Sequence, residues 1–255
     1  MQTKTNALTC FTLILTACAG TAVPLSSDAR AHLESIPETA GQLVYEGQVV
    51  PNGETRPRFR YERRVTDNLG AQTSTHLTYT SDTGELVVAQ QAVHSEDYSL
   101  ARFDEVQAQT GVVSSVRILD DGHLEFSVTR GSETERTTEE PGDPVVVGPT
   151  LFGFVLAHWD VLLSGHEVPV RFAVTDKAQT YGFVLRLSSS TPETTTIEFS
   201  ASGMFVRMAI DAMSIVFDTE TRTPHRYIGR VPPRLEGLAT FDAVVDYELA
   251  EATYR

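Results

Sequence analysis

His158, Asp160, His166 and Glu167 form the densest group of acid–base and metal-ligating side chains in the sequence. Two imidazoles and two carboxylates are what a metal site or a general acid–base pair requires. The histidines flank Gly165, however, so no single helical turn or strand forces them together. The plainer role is capping and hydrogen bonding at a helix end. The sequence has no phosphate-binding glycine loop, no Gly-x-Ser-x-Gly, no His-Glu-x-x-His and no EF-hand calcium loop. The expectation is a non-enzymatic protein with no catalytic residues, no metal and no cofactor.

Arginines are grouped more tellingly. Arg56, Arg58, Arg60, Arg63 and Arg64 lie close together, and Arg222, Arg226, Arg230 and Arg234 recur at every fourth position. Guanidinium forks match phosphate and carboxylate, so Arg58, Arg60, Arg64, Arg222, Arg226 and Arg230 are a candidate anion patch for lipid headgroups or an anionic polymer. The simpler reading makes each a solvated strand face whose charge discourages edge-to-edge pairing. Phe152, Phe154 and Trp159 are candidate walls of an apolar pocket, or else ordinary core residues.

Lys4 is the only charged residue before Asp28, and an apolar stretch runs from Ala7 to Ala17. A charged start, a short apolar core and small residues at its end make a secretory signal. As a helix that stretch covers about half of the roughly 30 Å hydrocarbon core, too little for a membrane span. It ends Leu15-Thr16-Ala17-Cys18, which resembles the lipobox of bacterial lipoproteins. The resemblance implies cleavage before Cys18 and acylation of its thiol and new amine, so that Cys18 ties the protein to a membrane. Ala19, where aspartate would act as a retention signal, implies sorting to the outer membrane. Residues 18–40 then read as a lipidated tether, with a short helix over Asp28–Ile36 capped by Ser27.

The chain has 255 residues and a formal net charge of −14, a sign that disfavours non-specific nucleic-acid binding. Cys10 would leave with the signal, so no disulfide framework remains and packing alone must stabilise the body. From Gln42 the pattern alternates apolar and polar residues, as half-buried strands do. Asn52-Gly53, Asn68-Leu69-Gly70, Asp82-Thr83-Gly84 and Asp121-Gly122 supply turns between the runs, implying an antiparallel meander. Residues 131–144, acidic and holding Pro141 and Pro144, read as a loop or frayed hairpin. Gly148-Pro149-Thr150 opens a helix over about Leu151–Leu163, apolar nearly all round and hence buried. Strands resume after it, one of them over Met204–Ile210. The expected fold is mainly β: one domain over 41–255, a curved antiparallel sheet or open barrel of about 11–13 strands around one central helix.

That layout behind a lipobox resembles the lipoprotein carriers of the bacterial envelope (LolA/LolB-like), whose unclosed barrel holds acyl chains on its concave side. The stretch Val216-Phe217-Asp218-Thr219-Glu220-Thr221-Arg222-Thr223-Pro224-His225-Arg226-Tyr227 is similar to their hairpin of apolar strand, Asp, polar turn, Pro and basic return. A family of periplasmic β proteins of uncharacterised function fits the pattern equally. The functional expectation is a membrane-anchored, non-enzymatic envelope lipoprotein binding a lipid or other apolar ligand in a curved sheet. The alternative is a structural or assembly component acting through contacts with envelope proteins. A hydrolase built on the histidine–carboxylate group stands third.

Overall fold

The structure, a computed structural model, describes residues 41–67, 72–203 and 212–250. Eight strands come first: β1 (Gln42–Pro51), β2 (Phe59–Asp67), β3 (Thr73–Ser81), β4 (Leu86–His94), β5 (Leu100–Gln107), β6 (Val112–Ile118), β7 (Leu124–Arg130) and β8 (Glu133–Glu139). The two-residue strand β9 (Val145–Val146) leads into helices α1 (Gly148–Ala157) and α2 (Trp159–Leu163). Then follow β10 (Val168–Val174), β11 (Gln179–Ser190), β12 (Thr194–Ala201), β13 (Met213–Asp218), β14 (Pro224–Arg230) and β15 (Asp242–Leu249).

All 15 strands among the described residues belong to one sheet, in the order β8-β7-β6-β5-β4-β3-β2-β1-β15-β14-β13-β12-β11-β10-β9. The chain therefore winds outward from β1 to one edge, re-enters at the other, and meanders back until β15 pairs with β1. Every pairing is antiparallel except that of β9 with β10. The sheet is curved and unclosed. Side chains bridge its two ends: Arg171 Nη2 donates to Glu139 Oε1 at 2.8 Å, Thr180 N–H to Glu139 Oε2 at 2.8 Å, and the Thr137 hydroxyl to the Ala178 carbonyl at 3.1 Å.

Period-2 alternation explains most of these strands, but two, β5 and β8, carry no such signal. On β5, Phe103, Asp104, Val106 and Gln107 are all buried, so both faces are covered and the alternation is lost. The acidic segment expected as a loop or frayed hairpin contains β8, which pairs with β7 as a hairpin although its side chains are mostly exposed. Charge on that edge strand is what keeps it from pairing further. The hairpin read at Val216–Tyr227 forms between β13 and β14, with Thr221 N–H donating to Asp218 Oδ1 at 2.7 Å in its turn. The expected strand Met204–Ile210, the turn Asn68-Leu69-Gly70 and everything before Gly41 lie outside the described residues.

The helix expected over Leu151–Leu163 is two helices. It starts earlier, at Gly148, because Pro149 in the first turn has no N–H to leave unpaired, and the Thr150 hydroxyl accepts the Val147 N–H at 3.1 Å. It breaks at His158, whose ring takes the Phe154 carbonyl at 2.9 Å in competition with the backbone. Pro149 to Val155 are buried inside the sheet's curve, whereas α2 leaves Val161 and Leu163 exposed. Buried Arg63 on β2 pins α1 in place. Its Nη1 donates to the Pro149 carbonyl at 2.8 Å, and its guanidinium stands 5.7 Å from the centre of the Phe152 ring.

Gly153 faces the Tyr98 ring, so a Cβ there would stand 1.8 Å from Tyr98 Cε1. Helix propensity alone would make Gly153→Ala stabilising by about 1 kcal/mol. The contact reverses that sign. The variant is expected to lose about 1–3 kcal/mol through overpacking, read as a lower urea midpoint. A midpoint at or above the parent's would show that Tyr98 moves aside freely.

Candidate functional site

Directly opposed residues in antiparallel pairs share a face, so register defines the inner wall. One inner row runs Gln107, Val88, Tyr79, Tyr61, Gly47, Tyr247 across β5, β4, β3, β2, β1 and β15. The next runs Glu105, Gln90, Leu77, Arg63, Tyr45. Gly47 lacks the Cβ that would stand 3.2 Å from Tyr247 Cδ1, and across it the Tyr61 and Tyr247 rings meet edge-on at 5.1 Å. Tyr79 packs edge-on to Tyr61 at 5.4 Å, and Phe152 of α1 to Tyr247 at 5.2 Å.

Between these rows, the start of α1 and strands β10–β11 lies a cavity of about 380 Å³. Tyr61, Tyr79, Tyr247, Phe103, Phe172 and Phe183 supply much of its aromatic wall. A 3-10 turn (Thr175–Lys177) and the β14–β15 loop form its outer end, where exposed Lys177 and Thr240 bring it to solvent. The loop is tied to the β5–β6 turn: the Gln107 amide donates to the Pro232 carbonyl, and Gln109 exchanges two bonds with the Arg234 backbone, all at 2.8 Å. Ser114 on β6 holds the 3-10 turn through the Thr175 hydroxyl at 2.7 Å. Arg234 pairs with Asp176 across the two segments at 3.5 Å.

Glu105 is the ionisable group that this wall perturbs most usefully. Burial pushes its carboxyl up to about 7, with nearby Asp176 adding to the rise, while the Gln90 amide hydrogen bond and Arg234 act to lower it. Burial also raises the hydroxyls of Tyr79 and Tyr247 well above the ordinary tyrosine range, so those walls stay neutral. Gln90 donates its amide to Glu105 Oε2, which fixes the amide's orientation and leaves its own Oε1 buried without a partner. Gln107 Oε1 is likewise buried and unpartnered.

Sequence reasoning missed Glu105, Gln90 and Gln107. The available signal was the repeat Phe103-x-Glu105-x-Gln107, but only register shows that it faces inward. Of the expected pocket residues, Phe152 lines the cavity. Phe154 and Trp159 do not: Phe154 packs on the His158 ring at 4.2 Å and Trp159 edge-on to Phe217 at 5.3 Å, as core.

The six-arginine patch does not assemble. Arg58, Arg60 and Arg64 pair with Glu54, Glu46 and Glu62 at 2.6, 2.6 and 3.3 Å. Arg226 and Arg230 pair with Asp246 and Asp242 at 2.5 and 2.7 Å. Arg222 stands in a turn at φ 57°, off the strand, with its guanidinium 5.5 Å from the Trp159 ring centre and 3.8 Å from Asp160. The fourfold spacing fails because that segment is not one continuous strand. His166 Nδ1 bonds the Ser164 hydroxyl at 2.8 Å, and His158 is held by Phe154 as above. Among the described residues no group of three or more His, Cys, Asp or Glu is placed to hold a metal ion. Cys18 and the motif Leu15, Thr16, Ala17 lie outside the described residues.

Fold and site together define a β protein whose open, curved sheet encloses an aromatic cavity with one clustered polar edge. Among solved structures the chain is similar to a β-barrel-like protein of a domain of unknown function, DUF1849, from Brucella abortus, with a TM-score of 0.41 and 10% identity over 82% of this chain and 99% of that one. No protein-family model matches the sequence, and neither does any curated protein.

Proposed function

We propose that the protein is a non-enzymatic envelope lipoprotein, anchored through Cys18, that binds an apolar or amphipathic ligand inside its curved sheet. The observation that carries this reading is the cavity: about 380 Å³, mostly apolar with a large aromatic share, its polar groups coming from β4, β5, the 3-10 turn, the end of β14 and the β14–β15 loop. Small-molecule pockets are typically about 300–1,000 Å³, apolar, with a small number of convergent polar groups. The Leu15-Thr16-Ala17-Cys18 motif supports the anchor, and Ala19 supports placement at the outer membrane. No helix among the described residues is long and apolar enough to cross a membrane.

Nile red, a neutral apolar fluorophore, is expected to brighten on entering the cavity of the purified full-length protein. Ala173→Phe places a ring where Ala173 lines the cavity and is expected to lower uptake at least about tenfold, with near-UV circular dichroism reporting an intact core. Dye uptake unchanged by Ala173→Phe, in a protein that native mass spectrometry finds free of bound lipid after gentle extraction, would overturn the ligand reading and favour contacts with envelope proteins.

A further inference from the structure

An apolar ligand by itself leaves Glu105 and its surroundings without a purpose. Asp176 of the 3-10 turn and Arg234 of the β14–β15 loop act on that carboxyl, and Tyr79 of β3 feels its charge, while Lys177, Arg230, Tyr61, Tyr181, Tyr227 and Tyr247 line the same cavity. Each of those cations already has a carboxylate: Arg230 has Asp242 at 2.7 Å, and Arg234 and Lys177 share Asp176 at 3.5 and 3.7 Å. Among the described residues no ion pair reaches Glu105. Beside it, Gln90 is only 4% exposed and Gln107 only 5%, and each retains a buried amide oxygen without a partner. Gln107 Nε2 must face the Pro232 carbonyl, and Gln90 Nε2 must face Glu105 whenever that carboxyl is ionised, as at pH 8. Both oxygens belong to residues that line the cavity, and buried acceptors left unmet are costly. Around the cavity stand aromatic faces, which attract cations.

We propose that the ligand carries a primary ammonium on an apolar chain, the ammonium held by the Glu105 carboxylate and the amide oxygens of Gln90 and Gln107, and the chain lying against the tyrosine and phenylalanine wall. The proposal rests on the ligand-binding reading above. An ammonium has three donors and no acceptor, which matches a carboxylate and two amide oxygens. A fatty carboxylate would bring like charge to Glu105, and an alcohol would satisfy at most one acceptor with its single O–H. A free alkylamine and the ethanolamine headgroup of a phospholipid share this chemistry.

Displacement of Nile red from the full-length protein at pH 8 by dodecylamine, dodecanol and laurate tests it. Dodecylamine is expected to bind roughly 10- to 100-fold more tightly than the other two, the worth of a charge-assisted hydrogen bond. Glu105→Gln is expected to remove most of that advantage. The parent's affinity for dodecylamine should rise from pH 6 to pH 8 as the carboxyl ionises, and the variant's should stay flat. Lysophosphatidylethanolamine competing where lysophosphatidylglycerol does not would support a lipid source, and competition by neither would support a free amine. Equal competition by the glycerol lipid, laurate or dodecanol binding as tightly as dodecylamine, or an amine affinity unmoved by Glu105→Gln, would each overturn the ammonium proposal while leaving the cavity a binding site. Failure of Nile red and all amphiphiles to bind would overturn both.

Discussion

Glu105→Gln is expected to stabilise the protein by about 2–3 kcal/mol at pH 8 and by less than about 1 kcal/mol at pH 5. Burial lifts the Glu105 carboxyl from an ordinary 4.5 to about 7 in the folded protein. Between those values the folded chain keeps a proton that the unfolded chain has released, so stability falls as pH rises through the window. The favourable contribution is complete below about 4.5 and gone above about 7. Glutamine reproduces the shape of the protonated acid, can still accept the Gln90 amide hydrogen bond, and carries no charge to bury. Urea midpoints for parent and variant, measured at both pH values with an unchanged m-value, report the difference directly. An equal shift at pH 5 and pH 8 would show that Glu105 titrates in the ordinary range. A carboxyl that costs this much unliganded is what a ligand ammonium would stabilise, so the stability and binding experiments examine one charge from opposite sides.

Cys18→Ser, exported behind a secretory signal with its own cleavage site, is expected to leave the membrane pellet entirely for the soluble fraction and to lose palmitate labelling. Each acyl methylene buried in lipid contributes about 0.8 kcal/mol, and two or more chains make attachment stable. A serine hydroxyl offers no thioether for the first of those chains. Among the described residues no helix can substitute as an anchor. Labelled palmitate retained by the variant, or a parent protein that never takes label, would remove Cys18 from the account. Cavity binding of Nile red should survive in the soluble form, because the 15-stranded body is built wholly from residues after Gly41.

Much of the body was legible from local pattern. Phe59 and Tyr61 against Arg58 and Arg60 placed β2 with the correct face inward. The turns at Gly53, Gly84 and Gly122 fall where their Asn and Asp neighbours put them, each glycine at φ 84–85°. Gly148-Pro149-Thr150 marked the start of the helix, although His158 broke it where apolar periodicity ran on. β5, covered on both faces, escaped detection, and β8, with almost nothing covered, read only as a loop or frayed hairpin. Both depart from the half-buried condition that makes alternation visible.

The amino-acid order by itself determined a mainly β chain, its turns and the start of its buried helix, because each is written within a few neighbouring residues. Tertiary structure alone decided which strands meet. It set Arg226 opposite Asp246 and Arg60 beside Glu46, turning a candidate anion patch into ion pairs. It also set Glu105 opposite Gln90 on the inner wall and brought the β14–β15 loop over both. Side-chain alternation assigns a residue to a face, but the partner across that face is chosen by register between segments far apart in the chain. A cavity and the proton affinity of a carboxyl within it arise only from that choice.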